Sequence, residues 1–253
     1  ALAVRHGADA LLAALPGRIT QLRHGTTVAT NALLEANGAR TVFITTAGFE
    51  DLLYLRRQNR PAIYALSPSI PAPLCPRDRT LGLVERVGYD GNVLRPLEDP
   101  CTFVERHADL LGTAEAVAVC LLHSYTNPSH EQALQRALRA AYPHLPITLS
   151  STLVPLTREY ERASTTVANA FVAPRMQGYL TQLEDLFPGV AISIMDSAGG
   201  LIPVEDAAEE PVRTSLSGPA GGVRGARQGR QRQARPDRPR DDRAREGPRE
   251  GEA

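Results

Sequence analysis

Two short apolar runs, residues 41–46 (TVFITT) and 116–122 (AVAVCLL), constrain this chain more than any other feature. Each is too short for a typical helix, rich in β-branched or small side chains and free of polar alternation, the pattern of a strand buried on both faces. Helical stretches alternate with them: 8–15, stopped by Pro16-Gly17; 27–37, closed by Gly38; 102–111; and 129–141, opened by Asn127-Pro128, with Ser129 to Gln132 fitting a capping box. Further strands fit 147–150 and 192–195, and a longer helix covers about 158–187 with an interruption expected near Pro174. Strand followed by helix, repeated, predicts an α/β fold whose mostly parallel sheet carries helices on its faces. Tyr89-Asp90-Gly91-Asn92 marks a hairpin within 84–97, and the Pro- and Ser-rich stretch 67–76 reads as an extended connector.

A chain of 253 residues admits one large domain or two small ones, and an apolar content of 42% suffices for a core. All 28 basic residues are Arg, a skew that coding bias in a GC-rich gene explains more simply than any physical demand. They balance 28 acidic residues, so net charge offers no argument for nucleic acid or a membrane surface as a general partner. Cys75, Cys101 and Cys120 are odd in number and lack a CxxC pair, so neither a disulfide framework nor a zinc site is indicated, and no metal ligand set is assigned. Cys120, inside an apolar run, reads as a small buried hydrophobe. No apolar stretch approaches the ~20 residues of a membrane span and no signal-peptide pattern opens the chain, which makes the cytoplasm the expected compartment. Residues 224–253 contain ten Arg, almost no aliphatic side chains and no aromatics, so a disordered tail is expected there. An Arg-rich nucleic-acid arm and translation of a shifted reading frame both account for that composition, and the interspersed Asp and Glu argue against the arm.

Chemistry concentrates in a few places. Residues 23–35 (RHGTTVATNALLE) place His24, Gly25, Thr26, Thr27 and Asn31 at the entry of a helix. Such a loop either offers backbone N–H groups, hydroxyls and the helix dipole to an anionic or carbonyl group, or caps an ordinary helix through Thr26 or Thr27. Arg56, Arg57 and Gln58 suit bidentate clamping of phosphate or carboxylate, or form a solvated helix end. Arg158, Glu161 and Arg162 fall on one helix, with Arg158 and Arg162 sharing a face at i, i+4 and Glu161 one turn before Thr165; an exposed salt-bridged face and a site both explain them. His123 and His130 flank a strand-to-helix turn at a spacing weak for metal ligation, so capping is the expectation for both. Asp196, at the carboxyl end of a strand beside Gly199-Gly200, suits Mg²⁺, an activated water or a substrate N–H. Ser217 and Gly218 open SGPAGG, a Gly-rich turn entering a helix.

Six segments taken in order carry a resemblance: 23–35, 45–61 (TTAGFEDLLYLRRQNRP), 121–131 (LLHSYTNPSHE), 155–174 (PLTREYERASTTVANAFVAP), 195–201 (MDSAGGL) and 215–223 (SLSGPAGGV). Their sequence and spacing resemble the hydantoinase A and 5-oxoprolinase family, whose relatives include subunits of ATP-dependent ketone carboxylases. The resemblance implies an actin-like, sugar-kinase-like (ribonuclease H-like) ATPase lobe, a mixed sheet flanked by helices and here incomplete. It further implies an N-terminal domain over 1–152 and the start of a core domain over 153–223. The implied chemistry uses ATP and Mg²⁺ to phosphorylate the carbonyl oxygen of a cyclic amide of the hydantoin or 5-oxoproline type, with a hydantoinase B type subunit or domain as partner. A ketone carboxylase subunit and a non-catalytic α/β assembly module are the alternatives. The group read as catalytic, from its place at a strand's carboxyl end, is Asp196. The implied cleft residues are His24, Gly25, Thr26, Thr27 and Asn31; Arg56, Arg57 and Gln58; Arg158, Glu161 and Arg162; and Gly199, Gly200, Ser217 and Gly218. Two departures stand out: the family usually has an amide at 196 and Asn at 198, and neither of its Asp-x-Gly-Gly-Thr phosphate loops occurs in this sequence. A fragment without those loops is expected to bind ATP poorly and to be inactive alone.

Overall fold

The computed structural model describes residues 1–14, 17–59, 64 and 71–218. Pro16, the first part of the connector at 67–76, the last four residues of SGPAGG and the whole of 224–253 lie outside the described residues. Two sheets form. In the larger, β2 (Thr41–Thr46), β3 (Thr80–Leu83), β6 (Ala116–Cys120) and β7 (Ile147–Leu149) run parallel in the order β3-β2-β6-β7. In the smaller, β1 (Gln21–His24) pairs parallel with β8 (Ala191–Met195), whose other edge takes β9 (Leu201–Pro203) antiparallel. The expected hairpin is present as β4 (Arg86–Val87) and β5 (Val93–Arg95), turned at Gly91 with φ +84°, where Asp90 accepts from the Asn92 amide at 3.1 Å.

The alternation inside AVAVC explains the packing of the larger sheet. Val117 and Val119, with Val42 and Ile44 of β2, face one layer formed by α4 (Pro100–Arg106), α5 (Ala108–Leu111) and α6 (Ser129–Ala141), where Phe103, Leu111, Leu134 and Leu138 are buried. Ala116, Ala118 and Cys120 face the other way, and their small side chains let the long helix α8 (Glu159–Leu186) approach through Ala163, Val167 and Ala170. Burial pushes the Cys120 thiol up to about 12, as fits a small hydrophobe rather than a nucleophile. From its middle onward α8 carries Phe171, Val172, Met176, Leu180 and Leu183 into a second core with α2 (Val28–Leu34), β8, β9 and α9 (Val204–Glu209). The helices α1 (Leu2–Ala14), α3 (Leu52–Leu55) and α7 (Ser150–Leu153) complete the described secondary structure apart from two 3-10 turns.

Several expectations need correction. α8 runs unbroken through Pro174; packing holds it on both sides of the ring, and the Ala39 amide donates to the Phe171 carbonyl at 2.8 Å, one residue from the carbonyl Pro174 cannot serve. That approach requires Gly38, because a Cβ there would sit 2.3 Å from the Phe171 ring. The helix expected over 102–111 starts at Pro100, capped by Asp99 accepting from Thr102, and breaks at His107. No capping box forms at α6: Asn127 accepts from the Ser129 amide, and Glu131 turns inward instead. Neither histidine of that segment is a cap; His123 meets Tyr125, and buried His130 pairs with buried Glu85 at 2.8 Å.

Candidate functional site

Parallel pairing puts the carboxyl ends of β1 and β8 side by side, His24 beside Ile194, so the loops after them share one edge. The segment 213–218 closes on that edge. Thr26 donates its amide to Ser217 Oγ at 3.3 Å, and Ser217 Oγ donates back to the Thr26 carbonyl at 2.7 Å. Thr30 donates to the Ser215 carbonyl. Ser197 links the third loop, its amide and hydroxyl both reaching the Arg213 carbonyl while its Oγ accepts from the Leu216 amide at 3.0 Å. Three segments far apart in sequence thus interlock as one hydroxyl-rich platform, with Thr26 and Ser217 buried and Gly25, Thr27, Asn31 and Gly218 exposed.

Within it, the 23–35 motif behaves as a cap. Val28 donates to Thr26 Oγ1 at 3.2 Å and Thr26 N is held by Ser217, so those donors serve the fold rather than an incoming anion. Asp196 is 9% exposed, and its carboxylate closes its own turn: Oδ1 accepts from Ala198 at 3.0 Å and Gly200 at 2.7 Å, and Oδ2 lies 3.7 Å from Arg213. Gly199 takes φ +82° at the apex of that turn. The His24 side chain points from β1 onto α8, where Nε2 meets the Tyr179 hydroxyl at 2.6 Å; burial above all, with the amino terminus, holds its pKa below the ordinary value.

Arg56, Arg57, Gln58, Arg158, Glu161 and Arg162 gather elsewhere, at the carboxyl edge of the larger sheet. Seventeen residues of α8 separate Arg162 from Tyr179, about 25 Å along the helix axis. Arg57 forms an exposed ion pair with Glu161, and Arg56 donates to the Pro71 carbonyl. Arg158, expected to share a face with Arg162, is instead the exposed residue before α8 with φ +73°. Arg162 is only 1% exposed, which removes the salt-bridged surface face from consideration. Its guanidinium donates to Leu121 O at 3.1 Å, to Ser124 Oγ and to Ser150 Oγ, and lies 5.2 Å from the Tyr125 ring centroid, while its Nε has no hydrogen-bond partner among the described residues. The two serines in turn donate to Glu131 Oε1, which also accepts from Leu121 N, and Glu131 Oε2 takes Ser151 N. Glu161 does not meet Thr165; its carboxyl is held below the usual range first by its own backbone amide and then by Arg57.

Among the described residues no group of three or more His, Cys, Asp or Glu is arranged to hold a metal ion. Among its described residues the platform contributes one cation, Arg213, already paired with Glu210 at 3.0 Å and near Asp196. Such a donor set suits a neutral polar group better than a triphosphate. Sequence reasoning missed Tyr179, Ser197, Ser215 and Arg213; Ser197 and Ser215 fall inside motifs already singled out, whereas nothing local marks Tyr179.

Comparison with known proteins agrees with this architecture. The family model described as the hydantoinase/oxoprolinase N-terminal region matches residues 2–142, and the hydantoinase/oxoprolinase model matches 162–236. The chain is 33% identical over 235 residues to 5-oxoprolinase 1 of Arabidopsis thaliana, with 83% of this chain and 18% of that protein covered. It is 31% identical over 230 residues to the acetophenone carboxylase gamma subunit of Aromatoleum aromaticum, covering 83% and 31%. The crystal structure of the ATP-dependent caprolactamase from Pseudomonas jessenii superimposes with a TM-score of 0.81 at 30% identity, covering 92% of this chain and 36% of that one. The chain therefore spans about a third or less of these relatives. With one family model matching more than half its length, a second matching the region that follows, and the α/β lobe of caprolactamase reproduced in its fold, the chain belongs to the hydantoinase/oxoprolinase family.

Proposed function

We propose that this chain is one portion of a cytoplasmic ATP-dependent enzyme that activates a cyclic amide of the hydantoin or 5-oxoproline type by phosphorylating its carbonyl oxygen. The observation that carries the reading is the interlocking of the 24–31, 196–200 and 213–218 segments at the carboxyl edge of β1 and β8, where ligands of open α/β sheets bind. The chemistry is sound: an amide carbonyl is a poor electrophile, and its oxygen becomes a good leaving group once it carries phosphate. ATP would supply the phosphoryl group. The neutral, hydroxyl-rich platform suits the ring amide rather than the phosphates, and Mg²⁺ would arrive on the nucleotide, since no described residues form a cage for it. Asp196, read from sequence as catalytic, is assigned to shaping the 196–200 turn, because both its oxygens are engaged. Gly25, Thr27, Asn31 and Gly218 would line the open side, with the half-buried Gly199 and Gly200 beside them. We read residues 1–152 as the N-terminal domain and 153–223 as the start of the core domain. A hydantoinase B type partner fits relatives that are themselves named as subunits of caprolactamase and acetophenone carboxylase.

The test is ADP release by the complete enzyme with its partner, on addition of hydantoin, 5-oxoproline or caprolactam. Stimulation by one of these supports the reading. Stimulation by a ketone with bicarbonate instead assigns a carboxylase, and no stimulation by any of them overturns it. The 253-residue chain alone is expected to neither bind ATP well nor turn over.

A further inference from the structure

Resting on that reading of the platform, we propose that Arg213 is its anion-recognising residue: a guanidinium held against Asp196 and Glu210 that takes up a phosphate once the ring oxygen carries one. Arg213 lies against the 196–200 turn at both ends. Its carbonyl accepts from the Ser197 amide at 2.7 Å and from the Ser197 hydroxyl at 2.6 Å. Its Nη1 donates to Glu210 Oε2 at 3.0 Å, and its Nη2 lies 3.7 Å from Asp196 Oδ2. The main chain is therefore pinned, while the side chain is 44% exposed against 13% for that of Asp196.

A count of donors sets Arg213 apart. The hydroxyls of Thr30, Ser197 and Ser217 are all given to carbonyls of the fold, and the Ala198 and Gly200 amides are given to Asp196 Oδ1. Thr27 and Asn31 are exposed but neutral. A guanidinium carries five N–H hydrogens, and among the described residues Arg213 commits one of them, to Glu210. The separation from Asp196 is longer than a hydrogen bond, so attraction between charges rather than a fixed bond keeps Nη2 there. Nε–H and Nη2–H form one side of the guanidinium fork, the geometry that matches two phosphate oxygens.

At rest this one cation faces two carboxylates, so the cluster has no positive charge in excess and suits a neutral ring. Phosphorylation changes that. The carbonyl oxygen bonds to the γ-phosphorus through a lone pair, the bond to the bridging oxygen of ATP breaks with its electron pair leaving on ADP, and the ring, its N–H retained, now bears a phosphate. Arg213 turns from Asp196 onto that charge while its own main chain stays in place, and a preplaced cation at the point where charge develops favours the step. Asp196 Oδ2 competes with the phosphate for the same guanidinium, so removing its charge should strengthen anion binding rather than weaken it.

The experiment titrates the 253-residue chain with inorganic phosphate, against chloride at equal ionic strength, and follows the backbone ¹H–¹⁵N shifts of the 196–200 turn. Expected are weak, saturable binding by the parent chain, its loss in Arg213→Gln, and tightening by about fivefold in Asp196→Asn, the worth of one charge about 4 Å away in water. Asp196→Asn keeps an Oδ1 acceptor for the Ala198 and Gly200 amides, and Arg213→Gln keeps the carbonyl that Ser197 uses. Unchanged hydrogen exchange at the Ser197 and Gly200 amides therefore shows that the turn survives in both variants. Shifts that persist in Arg213→Gln, an Asp196→Asn affinity no greater than the parent's, or no saturable shift in either overturns the proposal. In the complete enzyme with its partner, Arg213→Gln should lower kcat for amide-stimulated ADP release about tenfold or more at unchanged KM, with Arg213→Lys recovering part of it. A raised KM with kcat unchanged would assign Arg213 to the neutral ring and overturn its role toward the phosphate. The titration needs no turnover, so it can fail while the cyclic-amide reading stands. Conversely, if the titration behaves as expected in an enzyme that no cyclic amide stimulates, the anion site stands and its use on a phosphorylated ring is overturned.

Discussion

The two ends of α8 serve two carboxyl edges built in opposite ways. At its start, the larger sheet ends in ionisable groups removed from water, Arg162 and Glu131 joined through Ser124 and Ser150, with Glu85 and His130 beside them. Toward its other end, the smaller sheet ends in hydroxyls bonded to backbone, with Gly25, Gly218 and Thr27 exposed. Buried charge is costly and tolerates little movement once paired, whereas a rim of neutral groups with small exposed residues leaves room for a visitor to approach. The first edge therefore reads as a lock between layers and the second as the place where chemistry can occur.

The comparison breaks most readily at Arg162. Arg162→Met removes the cation that balances Glu131 through the two serines and leaves a carboxylate buried without it; the expected loss is about 3–5 kcal/mol in urea unfolding. A surface-like loss of less than about 0.5 kcal/mol would show that charge does not lock this edge. Next in size is Ser217→Ala, which leaves the buried Thr26 amide and carbonyl without their partner. A loss of about 1–3 kcal/mol is expected, together with faster hydrogen exchange at the Thr26 amide. Unchanged exchange there would mean that the 213–218 segment is not what holds the motif.

How much of this was legible in the sequence depends on where each residue's partner lies. β2 and β6 were readable because burial on both faces leaves a local signature. β1 (QLRH) and the three-residue β9 were not, since they are short, pair with β8 between them and pack on the core beneath α8. Pro174 was expected to interrupt α8 because local propensity knows nothing of the packing that holds the helix on both sides of the ring. The i, i+4 pairing of Arg158 and Arg162 pointed to a charged surface, yet the loops after β6 and β7 close over one of the pair and leave the other in solvent. The motif residues His24 and Thr26 were recognisable, but Tyr179 and Ser217, 155 and 191 residues away, were tied to them only by the fold.

His24 offers a smaller, pH-dependent contrast between the edges. Its folded pKa is lowered, chiefly by burial, so between that value and about 6.5 the unfolded chain binds more protons than the folded one. Stability is then expected to be full above about 6.5 and to fall on acidification through the folded pKa. His107, also lowered, contributes to the same window, so the share belonging to His24 is the part of the slope that His24→Gln removes. An identical slope in that variant would place His24 in water rather than against α8.

The smallest effect is expected at Arg57. Its ion pair with Glu161 joins side chains 58% and 32% exposed, so Arg57→Gln should cost no more than about 0.5–1 kcal/mol. The Glu161 carboxyl should remain below the usual range in that variant, because its own backbone amide is the largest single contribution to the lowering and stays in place. Side-chain carboxyl titration by NMR reads this directly. A Glu161 value that returns to normal would make Arg57 the principal partner. If the complete enzyme lost activity while stability and the Glu161 titration held, Arg57 would be acting on something outside the fold, and the edge assigned here to structure would have to share the chemistry.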